Sequence, residues 1–415
     1  MRIAFVCNDT RGGVEPYVAL ALGLRAAGHD VRAVAPAPLA HMFGDVGIPV
    51  APLSGDVQAV VRDSGGAAER GAVASLVFAA RQLPAVMEAW MRETLAGCEG
   101  AELIAGGIGG MGTGLAVAEA LSVPFIEAHL QPIGQPTDAY PAVLAPWVPA
   151  RLGPAMRRAS HRLSEAVLWG SMAAPIRRAR RTVLGLRHAP RAHLHHGVLY
   201  GFSPAVVRVP DEGRRRRHTT GYWTLAPAEG WAPPSDLAAF VAADGPPVVS
   251  IGFGSMVGAD PGHLADLVRG AANDAGVRAV LLAGWGGLEV GQADDAVFAI
   301  DAVPYEWLFA RVAAIVHHGG AGTTGASLRA GVPVTVVPFT MDQPFWGSRI
   351  AELGVGPEPI PRRRLTRARL AAALRTSVSD HDMRSRACAL GERLRAEDGV
   401  GEAVRRFEDV DMRRR

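Results

Sequence analysis

Lysine is absent from the 415 residues of this chain, so all 43 of its Lys and Arg positions are arginines. Without lysine there is no Schiff base to a carbonyl substrate or to pyridoxal phosphate, and no P-loop lysine for a nucleoside triphosphate. These enzyme classes are therefore excluded. The formal net charge is only +3, which is too small to indicate a nucleic-acid partner.

Cysteine is scarce, with three residues at Cys7, Cys98 and Cys388. An odd number at wide spacing predicts neither a disulfide framework nor a CxxC metal site. Cys7 lies in an apolar run and is predicted to be a core residue. The sequence also lacks a signal-peptide pattern and an apolar run of about 18 residues or more that would cross a membrane. We expect a cytoplasmic protein without an integral membrane segment.

Strands alternate with helices in two series, which is typical of parallel, doubly wound sheets. The first series opens with a strand at Ile3–Cys7, a loop at residues 8–13 and a helix at Glu15–Ala27 that Gly28 ends. The second series starts at the apolar run Pro247–Phe253. The sequence therefore predicts an α/β protein with two Rossmann-like domains, and a ligand site at the carboxyl ends of the strands in an interdomain cleft.

Domain boundaries follow from the same pattern. We predict an N-terminal domain at residues 1–205, a linker at 206–235 and a C-terminal domain at 236–395. Residues 396–415 are predicted to be a helix that packs back on the N-terminal domain. The linker contains the arginine run 214–217, which we interpret as a solvated charge run.

A second arginine-rich stretch, residues 177–181, lies on a predicted helix. We interpret it as a solvated face, with contact to an anionic membrane or a protein partner as the alternative. The second interpretation would make the protein peripheral to a membrane. Either a monomer or a homodimer is compatible with the sequence.

The most informative segment is residues 317–324, HHGGAGTT, between a predicted strand and a predicted helix. Glycines let the backbone approach a diphosphate closely, and a helix N-terminus offers free N–H groups and a partial positive charge. His318 can donate a hydrogen bond to phosphate, while Thr323 and Thr324 can cap the helix or donate to phosphate oxygens. A glycine-rich turn with capping threonines is the alternative interpretation.

An acidic side chain and an amide follow the next predicted strand, at Asp342 and Gln343. A carboxylate acceptor beside an amide suits the adjacent hydroxyls of a sugar. The alternative is an Asx-type turn with a solvated glutamine.

These segments together resemble family 1 glycosyltransferases. Residues 303–309 (VPYEWLF), 317–324 and 342–347 (DQPFWG) are most similar to the branch that holds sterol 3-β-glucosyltransferases and vancomycin-type antibiotic glycosyltransferases. Further similar segments are residues 199–204, 220–223, 252–256 and 354–357. The resemblance covers most of the chain and is dense between residues 199 and 361.

The resemblance implies the GT-B fold, which consists of two Rossmann-like domains with parallel sheets. It implies an inverting, metal-independent transfer of a hexose from a UDP- or dTDP-sugar to a small lipophilic natural product. A sterol or lipid acceptor is the nearest alternative. The nucleotide sugar is a co-substrate, and neither a permanently bound cofactor nor a metal site is expected.

The resemblance also carries site residues over to this chain. The donor-binding positions that it implies are Ser255, Trp285, Val303, His318, Gly320, Gly322, Thr323, Asp342 and Gln343. Because the chain has no lysine, Arg11 is a further donor-binding candidate, for the diphosphate. The candidate acceptor-binding positions are Gly13, Gly110, Met111, His129 and Tyr140. Trp285 lies near the position of the nucleobase, although it is also interpreted as an aromatic core residue.

One position departs from the family pattern. The acceptor must lose a proton as it attacks, normally to a positioned carboxylate or histidine. In the vancomycin-type and sterol-type enzymes a loop with the sequence Arg-Gly-Asp supplies that base, but here residues 11–13 are RGG. Gly13 has no side chain to accept a proton.

Three explanations for this departure stay open. Another group acts as the base, with Asp9 as our candidate and Glu15, His129 and Asp138 as others. Alternatively, the acceptor is acidic enough to need little help, as a phenol, an enol or a heteroaromatic nitrogen would be. In the third explanation the chain is a non-catalytic homologue that binds a nucleotide sugar or assists a partner. Capping of the following turn is the other interpretation of Asp9.

Overall fold

A computed structural model describes residues 1–55, 86–134, 136–146, 148, 152–188, 195–210, 217–227, 230–254, 261–282 and 296–412. The chain divides into two compact units. Unit 1 consists of Met1–Leu225 together with Asp398–Arg415, and unit 2 is Ala226–Glu397. Each unit contains one sheet of parallel strands, so the predicted α/β class is confirmed.

The sheet of unit 1 has seven strands in the order β3-β2-β1-β4-β5-β6-β7. Its strands are β1 (Arg2–Val6), β2 (Asp30–Pro36), β3 (Val50–Leu53), β4 (Leu103–Gly106), β5 (Phe125–His129), β6 (His195–Tyr200) and β7 (Arg217–Thr219). The helices of this unit are α1 (Arg11–Ala26), α2 (His41–Gly44), α3 (Met111–Leu121), α4 (Gly153–Thr182) and α12 (Gly399–Met412). Residues 86–97 are also helical. The strand order reverses between β1 and β4, which makes this point a topological switch.

The sheet of unit 2 has five strands in the order β10-β9-β8-β11-β12. Its strands are β8 (Val248–Gly252), β9 (Arg278–Leu282), β10 (Val297–Ile300), β11 (Ala314–His317) and β12 (Val334–Val336). The helices are α5 (Ser235–Ala242), α6 (Pro261–Ala275), α7 (Tyr305–Phe309), α8 (Ala321–Ala330), α9 (Gln343–Glu352), α10 (Arg367–Ser379) and α11 (His381–Arg395). The switch point of this sheet lies between β8 and β11.

Burial explains why the central strands are continuous apolar runs. Ile3, Ala4, Phe5 and Val6 of β1 are all at most 1% exposed, as expected for a parallel strand with both faces covered. The prediction that Cys7 is a core residue is confirmed, because only 2% of its surface is exposed.

The last helix of the chain, α12, belongs to unit 1. The ring of Phe407 is fully buried and meets the ring of Phe5 edge-on, with centroids 5.9 Å apart. Val400 occupies the space beside Gly23 of α1. The aromatic contact and the missing side chain at position 23 together let α12 pack closely on the first helix and strand.

In each arginine run the structure corrects the interpretation for one side chain, while the other arginines of residues 177–181 are exposed as predicted. Arg217 is 8% exposed and belongs to β7, which lies inside the predicted linker; residues 214–216 lie outside the described part. Arg180 is 3% exposed and donates to Glu119 over 2.8 Å. Solvation is therefore wrong for these two side chains. A paired carboxylate explains why Arg180 is tolerated in the interior.

The start of α1 also differs from the prediction. The helix begins at Arg11 rather than at Glu15, so residues 11–13 form its first turn instead of a loop. Thr10 is the extended residue before the helix, and its carbonyl accepts from the N–H groups of Gly13 and Val14. Glycine disfavours helix interiors, so local propensity gave no sign of this start.

Candidate active site

The carboxyl edge of the sheet in unit 2 collects most of the predicted donor-binding residues. The described segments after β8, β10, β11 and β12 leave this edge, and those after β8 and β11 leave at the switch point, where doubly wound sheets bind ligands. The backbone places Gly252 opposite His317 in the register of these two strands. The histidine-glycine segment therefore begins at the expected ligand crevice of the unit.

His317 fixes the shape of this loop. Its Nδ1 accepts from the N–H of Gly319 at 2.8 Å, so Nε2 carries the proton and donates to Ser327 Oγ at 3.1 Å. Burial lowers the pKa of His317 to about 3. The ring is neutral at physiological pH, and both its nitrogens are used inside the protein. His317 therefore has a positioning role.

His318 presents a different environment. The ring is half-buried, its burial lowers its pKa to about 4, and its Nδ1 has no hydrogen-bond partner within the described residues. A buried polar atom without a partner is costly, and native proteins usually satisfy such atoms. The neutral ring of His318 is thus poised to bond a group from outside the unit.

Two glycines make room for the ring of His318. A β-carbon on Gly254, after β8, would lie 3.3 Å from Cε1 of this ring. A β-carbon on Gly320 would lie 2.6 Å from Nε2. The ring therefore sits between the loops of the two switch-point strands. Any side chain at position 320 would have to displace it.

Helix α8 begins immediately after this loop. Gly320 is its N-cap residue in an extended conformation, and the first bond along the helix runs from the N–H of Thr324 to the carbonyl of Gly320. The N–H groups before Thr324 have no partner inside the helix and, with the helix dipole, favour an anion. Gly322 is half-buried in this first turn.

The two threonines do not cap α8, which corrects that part of the prediction. They lie inside the helix, and the N-cap receives no side-chain hydrogen bond. Thr323 is 8% exposed and Thr324 is fully buried. Glycine at the N-cap is compatible with the observed start, and capping needs a residue before the first turn rather than within it.

The loop after β12 holds the predicted sugar-binding pair. Gln343 is 4% exposed, and its Oε1 accepts from the backbone N–H groups of Phe339 and Thr340 at 2.8 and 3.1 Å. Asp342 is half-buried, and its Oδ2 accepts from Nε1 of the fully buried Trp346 at 2.9 Å. Gln343 shapes the loop, and Trp346 orients the carboxylate.

The two loops at β11 and β12 are packed against each other. A β-carbon on Gly319 would lie 3.0 Å from the carbonyl oxygen of Gln343 and 2.7 Å from Cγ1 of Val336. The structure therefore brings His318, Gly320 and Gln343 onto adjoining loops of one edge. Val303 follows the edge strand β10 and is 9% exposed. Ser255 and Trp285 lie outside the described residues.

Unit 1 carries the remaining candidates at its own switch point. Asp9 follows β1 and is half-buried. Its Oδ1 accepts from the N–H of Thr10 at 2.6 Å and from the hydroxyl of Thr10 at 3.3 Å. Burial raises the pKa of Asp9, and these two bonds oppose the increase. Arg11 is exposed at the first position of α1.

Packing alone accounts for two of the predicted acceptor residues. Gly110 precedes α3, and a β-carbon there would collide with the carbonyl of Val6. Met111 is half-buried and packs on the core beneath the sheet. Acceptor binding by Gly110 and Met111 therefore stays a prediction.

His129 and Tyr140 lie in a separate polar cluster. His129 is fully buried at the end of β5, with Nε2 3.1 Å from Oε2 of Glu127. Tyr140 is half-buried, and its burial raises the pKa of its hydroxyl. The carbonyl of Tyr140 lies 3.0 Å from Nε2 of His161. Full burial separates His129 from any substrate in this conformation.

Sequence reasoning missed several contributors to these sites. It gave His318 a phosphate-binding role and His317 none, and it missed Trp346, whose position four residues after Asp342 is one helical turn away. It also missed Glu127, the buried partner of His129. The described residues contain no group of three or more His, Cys, Asp or Glu side chains suited to a metal ion.

Comparison with known proteins agrees with this geometry. The profile of the erythromycin biosynthesis protein CIII-like, C-terminal domain family matches residues 272–410. The matched segment contains β9 to β12 and the loops after β11 and β12. The resemblance to family 1 glycosyltransferases is thereby confirmed.

Longer matches extend over nearly the whole chain. The sterol 3-beta-glucosyltransferase of Emericella nidulans is 35% identical over an alignment of 424 residues, including gaps, that covers 97% of this chain. The chain spans 29% of the length of that curated relative.

Solved glycosyltransferase structures share the fold. VinC, in complex with DTDP, superposes with a TM-score of 0.70 at 22% identity and covers 100% of both chains. SsfS6 of Streptomyces sp. SF2575, complexed with thymidine diphosphate, gives a TM-score of 0.63 at 21% identity and covers 99% of both. The predicted GT-B fold is confirmed. Within the described residues, no helix is both long and apolar enough to cross a membrane.

Proposed function

We propose that this chain transfers a hexose from a nucleoside diphosphate sugar to a small lipophilic acceptor, with inversion at the anomeric carbon. The observation that carries the proposal is the unpaired, buried Nδ1 of His318 beside the free N-terminus of α8. A neutral donor and several N–H groups converge at one switch point, and this combination suits a diphosphate.

In this reaction the acceptor oxygen or nitrogen forms a bond to the anomeric carbon while the bond from that carbon to the diphosphate oxygen breaks. The electron pair of the broken bond leaves with the nucleoside diphosphate, and the acceptor proton passes to a base. Negative charge therefore grows on the diphosphate. His318 and the N–H groups at the start of α8 stabilise that charge in our proposal, without a metal ion.

Sugar recognition is assigned to the loop after β12. The carboxylate of Asp342, held by Trp346, accepts from sugar hydroxyls, and the side-chain amide of Gln343 lies on the same loop. Val303 is assigned to the nucleobase through its backbone, as the family resemblance implies. Unit 1 supplies the acceptor-binding surface and the base. The solved relatives with thymidine diphosphate support a nucleotide of this class.

The acceptor is either a natural product of secondary metabolism or a sterol. The EryCIII-like match favours the first and the 35% identity to a sterol 3-beta-glucosyltransferase favours the second.

Mass spectrometry of reaction mixtures tests the proposal. Wild-type protein is mixed with dTDP-glucose or UDP-glucose and a panel that contains a 3β-hydroxysterol, a macrolide aglycone and a phenol. We expect one hexose to be added to at least one acceptor, together with release of the nucleoside diphosphate. A protein that binds dTDP or UDP and never transfers sugar would instead be the non-catalytic homologue that Gly13 suggests.

Nucleotide binding should depend on pH through His318. An anion favours the protonated ring, so bound dTDP raises the pKa of His318 above its value of about 4 in the free protein. Binding then takes up a proton between the two pKa values, and affinity increases as the pH falls until it levels off below about 4. Calorimetry of dTDP in buffers of different ionisation enthalpy measures this uptake.

His318→Gln is the matched control for that titration. The phosphate groups of dTDP titrate in the presence of either protein, so only the difference between the two profiles reports on His318. Superimposable proton uptake by wild type and His318→Gln would contradict diphosphate binding at this ring.

A further inference from the structure

The space beside Gly13 is occupied by the carboxylate of Asp9. A β-carbon built on Gly13 would lie 2.5 Å from each carboxylate oxygen of Asp9, far closer than nonbonded atoms approach. A β-carbon on the preceding glycine, Gly12, meets nothing within 4 Å. Position 13 is therefore closed to every side chain while Asp9 keeps its present rotamer, and position 12 is open.

This exclusion concerns the very position where the related enzymes carry their base. An aspartate at position 13 would start at the point that the Asp9 carboxylate now fills. Two carboxylates cannot share that volume, and their charges would repel each other at such a distance. The carboxylate of Asp9 can therefore occupy its present position only while position 13 is glycine, and the shared space holds a single carboxylate.

The surroundings of Asp9 suit proton transfer. Oδ1 is anchored by both donors of Thr10, while Oδ2 accepts no hydrogen bond from the described residues. The side chain stays partly exposed, at the switch point between β1 and β4. Burial raises the pKa of this carboxyl, which makes its ionised form a stronger base than a solvated aspartate.

The other candidate bases are less well placed. Asp138 is ion-paired with Arg158 at 2.8 Å. His129 is fully buried next to Glu127. Glu15 lies within helix α1, beyond its first turn. Asp9 alone among these four combines a half-buried carboxylate with contact to the volume beside Gly13.

We propose that Asp9 is the general base of this chain and that Gly13 is required because it leaves room for the Asp9 carboxylate. The inference rests on the proposed glycosyl transfer and names the residue that takes the proton. As the acceptor oxygen bonds to the anomeric carbon, its proton passes to Oδ2 of Asp9, and the diphosphate leaves with the electron pair of the broken bond.

Four variants test the assignment with dTDP-glucose or UDP-glucose and the acceptor glycosylated by the wild type. Asp9→Asn keeps a side-chain oxygen that accepts the hydrogen bonds of Thr10 but cannot take up the proton of the substrate. We therefore expect kcat to fall by a factor on the order of 10²–10⁴. Gly13→Ala displaces the carboxylate and lowers kcat in the same direction, whereas the matched Gly12→Ala retains wild-type kcat. The double variant Asp9→Gly/Gly13→Asp, which moves the carboxylate to position 13, recovers most of the kcat that Asp9→Asn loses.

Acceptor acidity separates a base from a structural role. A nitrophenol or thiophenol is ionised to a substantial fraction at neutral pH, so the loss of kcat in Asp9→Asn is smaller with these acceptors and stays large with an alcohol. The acid limb of the wild-type pH profile also disappears in Asp9→Asn. If Asp9 had only a structural role, Asp9→Asn would lower kcat by the same factor with every acceptor and would keep the acid limb of the pH profile.

The failures are distinguishable. If the wild type transfers no sugar to any acceptor, the proposed function fails and the assignment of Asp9 fails with it. If the wild type is active and Asp9→Asn matches its kcat with an alcohol acceptor, only Asp9 is rejected. Equal kcat for Gly13→Ala and Gly12→Ala would overturn the shared-volume argument. Circular dichroism and dTDP affinity confirm that each variant is folded.

Discussion

Replacing His318 by alanine is expected to lower kcat by a factor on the order of 10²–10³, the usual effect of removing one donor to a developing oxyanion. The ring carries the unpaired Nδ1 and sits between Gly254 and Gly320, two residues without a side chain that could replace its hydrogen bond. The charge on the leaving diphosphate is largest in the transition state. The effect should therefore appear in kcat as well as in the affinity for the nucleotide.

His381→Ala is the control for that variant, because His381 is an exposed histidine in the same unit. Steady-state kinetics with varied dTDP-glucose or UDP-glucose separates kcat from KM, and dTDP calorimetry reports ground-state binding. A wild-type kcat for His318→Ala would contradict the proposal that the diphosphate binds at this loop.

The second large effect is expected at Gly319, on stability. Its φ of +94° is in the left-handed region, and an added β-carbon would meet Val336 and the carbonyl of Gln343. The conformational penalty is about 1–2 kcal/mol, and overpacking adds about 1–3 kcal/mol. Gly319→Ala should thus lose about 2–5 kcal/mol of the free energy of unfolding. It should also weaken nucleotide binding, because the loop must move.

Gly276→Ala provides the matched comparison. Gly276 has a φ of +68°, and a β-carbon there meets nothing within 4 Å, so only the conformational penalty remains. Urea denaturation of both variants gives the two free energies. If Gly319→Ala loses no more than Gly276→Ala, the loops after β11 and β12 are not tightly packed against each other.

Elements defined by apolar runs were predictable from the sequence. β1 at Arg2–Val6 and β8 at Val248–Gly252 lie within one residue of the predicted runs Ile3–Cys7 and Pro247–Phe253. The start of α1 was not predictable, because glycines at positions 12 and 13 disfavour a helix locally. The structure accepts Gly13 there since the Asp9 carboxylate needs the space. A tertiary contact of this kind leaves no periodic signal in a sequence.

The candidate site was predictable in its residue types and less so in its roles. The pattern drew attention to residues 317–324, yet the two adjacent histidines serve different ends. His317 uses both nitrogens to hold the loop, and His318 leaves one unpaired. That division follows from hydrogen-bond geometry in three dimensions. The burial of Arg217 in β7 likewise reflects a tertiary environment that an arginine run cannot reveal.

The most direct test of the account is the anomeric configuration of the product, followed by NMR as the wild type consumes dTDP-α-glucose or UDP-α-glucose. The account predicts a β-glucoside of the acceptor, formed in equal amount with the released nucleoside diphosphate. Retention of the α-configuration, or release of the diphosphate without any glucoside, would contradict direct displacement by an acceptor that Asp9 deprotonates.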